Sequence, residues 1–144
     1  MLIKSLTLHQ PWASFMARRL KQNETRSWST SYRGPLAIHA AAILHPREIP
    51  NDVMILAMEH FGHWRSWPKG KIMCVVNNLR CWPTSYVSAL PGNEMELVLG
   101  DYSPGRYWWE TAMLHVFDKP IPAKGKQGLW NWEWPEALKV REIP

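Results

Sequence analysis

The stretch Leu20-Lys21-Gln22-Asn23-Glu24-Thr25-Arg26-Ser27-Trp28 places a lysine, a carboxylate, a guanidinium and an indole within eight residues. Its periodicity decides how those groups can meet. Helical spacing would spread Glu24, Arg26 and Trp28 around an axis, whereas on a strand alternate side chains point to one face. A strand over residues 24–28 therefore lines up the three. Successive Cα atoms on that face lie roughly 6.5–7 Å apart. Lys21 then enters from the turn just before the strand. Charges of both signs and a flat aromatic around one volume suit a small planar polar ligand, such as a nucleobase. The plainer alternative is a Glu–Arg surface pair beside a core tryptophan, since strands often carry charge pairs on a solvated face.

Outward from this strand, short apolar strands alternate with a few helices. Upstream, residues 3–8 read as a strand and His9-Gln10 breaks it. Trp12, Phe15, Met16 and Leu20 recur at helical spacing, which gives a short amphipathic helix over residues 11–19. Pro11 suits its first position, because the missing N–H would be unpaired there anyway. Downstream, Tyr32-Arg33-Gly34-Pro35 is a turn and residues 36–40 a buried strand. Asn51 or Asp52 can cap a helix that runs through Phe61 and ends at Gly62. Residues 71–82 form the longest strand candidate, stopped by Pro83. Thr84 or Ser85 caps a short helix to Leu90, ahead of a Pro91-Gly92 turn. Glu94–Leu99 is ambiguous between strand and helix. Residues 100–105 form a turn-rich loop, 106–117 an aromatic strand, and 129–134 a last strand or a tight turn of helix. With no internal repeat and no linker, five or six short strands and two or three helices predict one α+β domain over residues 1–144, built on a small β-barrel.

Composition narrows the function classes. The chain has 144 residues, 46% hydrophobic and 20% charged, which fits a globular domain with a real core. A net charge of +5 favours an anionic partner without amounting to a polybasic tail. No apolar run nears the roughly 20 residues of a membrane span. Met1-Leu2-Ile3-Lys4-Ser5 enters a strand pattern at once, without the layout of a signal peptide, so a cytoplasmic protein is expected. Cys74 and Cys81 lie seven apart on one extended segment, and on a regular strand would face opposite sides. Neither a disulfide framework nor a metal cage follows from two such residues. His60 and His63 have no second ligand pair, so no metal and no cofactor are expected. Of ten tryptophans, about seven are expected in the core and two or three beside a cleft, where stacking adds about 1–3 kcal/mol per base.

The signature residues and their flanks resemble the ASCH domain, a member of the PUA-like superfamily. The family signature is Gly-x-Lys-x-x-Glu-x-Arg, and Lys21, Glu24 and Arg26 match it in register. Four further segments are similar: Leu6-Thr7-Leu8-His9-Gln10-Pro11-Trp12-Ala13, Tyr32-Arg33-Gly34-Pro35-Leu36-Ala37-Ile38-His39-Ala40, Gly100-Asp101-Tyr102-Ser103-Pro104-Gly105-Arg106-Tyr107, and Lys124-Gly125-Lys126-Gln127-Gly128-Leu129-Trp130. The resemblance implies a PUA-like β-barrel with helices across its ends, a cleft receiving the signature, and a role in RNA or nucleotide metabolism. Some ASCH proteins resemble amidohydrolases that strip the acetyl group from 4-N-acetylcytidine; others have been linked to RNA binding or cleavage. This chain departs at two places. Arg19 stands at the signature glycine, and Glu24 stands where those amidohydrolases carry a threonine.

These residues support an RNA- or nucleoside-binding protein that could act as a hydrolase on an acylated nucleoside. Lys21, Glu24 and Arg26 are the catalytic candidates. Lys21 would accept a proton or steady an oxyanion, Glu24 would activate a water, and Arg26 would orient Glu24 or hold a phosphate. Trp28, Arg33, His39 and Tyr107 are the ligand-binding candidates. Two alternatives stay open. One is a non-catalytic RNA-binding module, with Trp28, Trp108 or Trp109 stacking bases. The other is a ribonuclease acting on single-stranded RNA, drawing on Lys21, Tyr32, Arg33, Ser103 and Arg106. His9 and His39 follow apolar strands and read as hydrogen-bonded structural histidines.

Overall fold

In the computed structural model, which describes residues 1–90 and 94–135, the signature segment is a short edge strand beside a long aromatic one. The strands are β1 (Leu2–Leu8), β2 (Asn23–Arg26), β3 (Gly34–Ala40), β4 (Lys71–Pro83), β5 (Tyr107–Pro122) and β6 (Trp130–Glu133). The helices are α1 (Trp12–Ala17), α2 (Asn51–Phe61) and α3 (Glu94–Leu99). One mixed sheet runs in the order β2-β5-β4-β3-β1-β6. Among the described residues, only β1 and β3 pair in parallel, the other four pairs being antiparallel. The α+β class stands, but among the described residues the ladder does not close into a barrel. β1 is the strand that β2 approaches, and both edges of β1 are already taken, by β3 and β6. The link across the gap is therefore a side chain: Arg26 Nη2 donates to the Thr7 carbonyl at 2.7 Å.

Alternation along the strands sorts side chains into two cores. On one face Leu6, Leu8, Leu36, Ile38, Cys74, Val76 and Trp109 pack with Met16 of α1. On the other Ile3, Ala37, Ile72, Val75, Phe117, Trp130 and Trp132 form a second cluster. Trp130, Trp132 and Trp134 share that second face, so the C-terminal segment is a strand with period two. A third cluster joins Phe15 of α1 to Val53 and Ala57 of α2 and Leu99 of α3. Glu94–Leu99 is thus a helix, with Glu96 and Leu99 on its buried side at a spacing of three. The Pro91-Gly92 turn lies outside the described residues. Among them, no helix is long and apolar enough to cross a membrane.

Two local features depart from the regular pattern. Cys74 and Cys81 both pack on the same core, because β4 carries one extra residue between Asn78 and Arg80, relative to its partner β5, that resets the alternation. Both thiols are free, and burial pushes that of Cys74 up to about 12. The second feature is Arg19, which has the left-handed backbone, φ 56°, that the signature glycine would adopt without strain. Its guanidinium donates to Thr111 Oγ1 at 3.1 Å and to the Thr111 carbonyl at 2.9 Å. A left-handed residue with a Cβ costs roughly 1–2 kcal/mol, and a hydrogen bond to a charged group returns about 1.5–3 kcal/mol. Arg19→Ala keeps the strain and loses the bonds, so we expect it to destabilise the fold by about 1–3 kcal/mol in urea titration. Arg19→Gly loses the same bonds but relieves the strain, and should be about 1 kcal/mol more stable than Arg19→Ala. Equal midpoints for the two variants would show that φ is not strained at this position.

Candidate functional site

The approach to β2 is fixed from both sides. After α1 the chain turns back through Arg19, and the Leu20 and Lys21 amides both donate to the Phe15 carbonyl at 3.1 Å. From α3, the buried Glu96 carboxylate accepts from the Gln22 amide at 2.7 Å and the Asn23 amide at 3.0 Å. Glu96 therefore supplies at the head of this edge strand what a neighbouring strand would supply further along. With that anchor, Lys21 runs inward and is only 1% exposed.

Lys21, Glu24 and Arg26 form one ionic cluster. Lys21 Nζ donates to Glu24 Oε1 at 2.8 Å and also to the Asn23 carbonyl. Glu24 Oε1 accepts in addition from the Thr25 amide at 3.1 Å. Arg26 Nε donates to Glu24 Oε2 at 3.0 Å. Burial pushes the Glu24 carboxyl up, but Lys21, Arg26 and the bonds from Lys21 and Thr25 outweigh it and hold the group below its ordinary value. Glu24 is thus a carboxylate at neutral pH, with both oxygens engaged. Two cations against one anion leave the cluster with one net positive charge.

This cluster forms part of the wall of a cavity of about 450 Å³. Trp28, just beyond β2, stands on one side and Trp12 of α1 on another. Val53 of α2 and Val98 and Leu99 of α3 make an apolar wall, and Asp101 and Arg106 of the following loop complete the rim. Trp28 is half-buried and is held edge-on by the buried Trp109, with ring centroids 4.9 Å apart. Thr25 also touches the cavity, although its hydroxyl is occupied in accepting the Asp101 amide at 3.0 Å. The loop is tied to itself as well. Ser103 hydrogen bonds and, less strongly, Arg106 hold the Asp101 carboxyl below its usual range, despite a small opposing effect of burial. Arg106 Nε donates to the Asp101 carbonyl at 3.1 Å and lies 3.4 Å from its carboxylate.

Lys21, Glu24, Arg26 and Trp28 thus converge on one volume. Arg33, His39 and Tyr107 lie outside it. Arg33 is exposed and donates to the Thr30 and Tyr32 carbonyls at 3.0 and 2.8 Å. His39 is buried between Thr7 Oγ1 at 3.1 Å and the Ala123 carbonyl at 2.7 Å. Burial lowers its pKa against the Ala123 bond, and Gly125 is packed so closely on its ring that a Cβ there would lie 2.7 Å from it. Tyr107 pairs with Arg26 across β2 and β5 and lines a neighbouring cavity. Trp108 and Trp109 are 1% and 0% exposed, so neither offers a face for a base. His9, which the sequence pattern marks as structural, is exposed at the cavity rim, edge-on to His45 at 5.8 Å. Trp12 and Asp101 are site residues that sequence reasoning misses. Trp12 fits a helical core pattern, and nothing local marks Asp101. Among the described residues, no group of three or more His, Cys, Asp or Glu is placed to hold a metal ion.

Known proteins share part of this sequence. Human "Activating signal cointegrator 1" is 54% identical to this chain over 37 residues, which is 26% of this chain and 6% of the relative. The mouse protein of that name is 54% identical over 48 residues, 33% of this chain and 8% of the relative. The matched region is thus under a tenth of the length of these relatives. The family model of the ASCH domain matches residues 6–121, most of the chain and every residue of the Lys21–Glu24–Arg26 cluster, and the chain belongs to the ASCH domain family.

Proposed function

We propose that the cavity binds a nucleobase, presented on a nucleoside or on single-stranded RNA, in a PUA-like domain. One observation carries this reading: the half-buried Trp28 flanks the same cavity as a cluster with net positive charge. Trp28 supplies a flat apolar surface, the cluster attracts an anionic ligand, and Arg26 and the rim Arg106 can meet a phosphate. Trp12 and Val53 add apolar surface to the lining. The test is titration with nucleosides and short RNAs at low salt, followed by tryptophan fluorescence. A saturable change is expected, with an affinity for RNA that falls as salt rises. No change with any of them would sink the reading.

A hydrolytic role on an acylated base is a second reading, favoured by the Lys21–Glu24 contact of 2.8 Å in the cavity wall. Glu24 is poorly set to act as a base, since both its oxygens are engaged and its proton affinity is lowered. Lys21 would be the proton-carrying group, with Glu24 holding it. On this reading Lys21→Ala and Glu24→Gln each lower turnover of 4-N-acetylcytidine by at least about 10², and Thr25→Ala changes it little. Product separation after incubation with that nucleoside decides. Intact substrate at high enzyme concentration leaves a binding module.

A further inference from the structure

The base cavity is not isolated. A second cavity of about 530 Å³ lies on the other side of the loop that carries Asp101 and Arg106, and Arg106 lines both. The second cavity is lined by Thr84, Ser85 and Val87 from the turn after β4, and by Tyr102 and Tyr107. It presents aromatic rings and hydroxyls, with Arg106 as its cation and no carboxylate in its lining.

The partition between the two cavities is held rigidly. The Thr84 amide donates to the Arg106 carbonyl at 2.9 Å, the Arg106 amide to Thr84 Oγ1 at 3.3 Å, and Thr84 Oγ1 to the Ser103 carbonyl at 2.9 Å. The hydrogen bond that orients the Arg106 side chain uses Nε alone, toward the Asp101 carbonyl. Among the described residues, its two terminal nitrogens make no hydrogen bond. They form a fork suited to a phosphate, at the place where the cavities meet. Across β2 and β5 the partner of Arg26 is Tyr107, so a residue of the first cavity and one of the second occupy a single rung of the sheet.

Building on the base-binding reading, we propose that the ligand is an oligonucleotide of at least two residues: one base in the Trp28 cavity, the bridging phosphate on Arg106, the adjacent nucleotide against Tyr107. The exposed hydroxyl of Ser85 and the absence of acidic side chains from the lining suit a sugar–phosphate. Tyr107 offers the second stacking surface, which every base can use.

The experiment compares affinities of a nucleoside 5′-monophosphate and the matching dinucleotide for the intact chain, by calorimetry, with ribose and deoxyribose versions of each. The dinucleotide should bind about tenfold or more tightly. Val87→Glu puts a carboxylate at an exposed position of the second cavity, where it repels a phosphate without disturbing the core. It should remove the dinucleotide advantage and leave mononucleotide affinity unchanged. Tyr107→Leu should remove most of the same advantage, and Arg106→Gln should weaken the dinucleotide more than the mononucleotide. A ribose preference would assign the second cavity to RNA, and equal binding to any single strand. Equal affinities for mononucleotide and dinucleotide would overturn the proposal while leaving the base site standing. A dinucleotide advantage untouched by Val87→Glu would overturn it as well. Failure of both ligands to bind would remove the base-binding reading itself.

Discussion

Glu24→Gln should destabilise the protein by about 3–5 kcal/mol, the largest effect expected of any conservative change in the chain. The substitution keeps the shape and one acceptor. It removes the carboxylate paired with Lys21, which is 2% exposed along its side chain, and it leaves Arg26 beside Lys21 with no anion between them. Two like cations with one of them buried cost far more than the ion pair contributes when whole. The pH dependence gives an internal check. The folded Glu24 pKa lies below its unfolded value, so its contribution is complete above the unfolded value, about 4.5, and is lost as pH falls through the lower folded value. The difference between wild type and Glu24→Gln, measured in urea, should therefore be full at neutral pH and shrink through the acid range. A difference that stays constant through the acid range would mean that Glu24 is not held ionised by its neighbours.

Lys21→Ala should cost less stability than Glu24→Gln, because Glu24 keeps Arg26 and the Thr25 amide as partners. Turnover or binding data on either variant therefore need a parallel measurement of folding.

Trp28→Ala should weaken binding of a nucleobase ligand by about tenfold or more, if the base stacks on its ring. Few other rings can stack there. Trp108 and Trp109 are sealed, and Trp109 packs against Trp28 with the ring planes at 85°. Trp12 is the other indole in contact with the cavity. Trp28→Phe should retain most of the affinity, since a ring still occupies the position. Calorimetry with a mononucleotide checks both. Equal loss in Ala and Phe variants would mean that the indole acts through its edge or its support of neighbours, not as a stacking surface.

Much of this arrangement is legible in the residues, for identifiable reasons. Period-two alternation marks β1 and the Trp130–Trp132–Trp134 face, whereas β3 is marked by a short apolar run, because both of its faces are buried. Strand parity accounts for Glu24 meeting Arg26, with Lys21 entering from the turn before; it does not account for Trp28, which lies beyond β2, or for Thr25, which has the opposite parity and also touches the cavity. Three things are not legible. The helical state of Glu94–Leu99 depends on Glu96 reaching the Gln22 and Asn23 amides, which lie 74 and 73 residues away in sequence. The shared face of Cys74 and Cys81 comes from the one extra residue in β4 between Asn78 and Arg80, which no local residue signals. The open ladder between β2 and β6 depends on β1 having both edges filled, which is a property of the whole sheet. In the site, the separation of Tyr107 from Arg26 into adjoining cavities is set by the loop over residues 100–106, whose path only tertiary contacts define.

The proposed function turns on a base entering between Trp28 and the Lys21–Glu24–Arg26 cluster. The ten indole N–H groups make this directly observable, because each gives its own signal in a ¹⁵N-correlated NMR spectrum. Titration with a nucleoside monophosphate should shift the Trp28 signal most and that of Trp12 next, while those of the buried Trp130 and Trp132 stay in place. Shifts centred on Trp64 or Trp82, or a spectrum unchanged at saturating ligand, would contradict it.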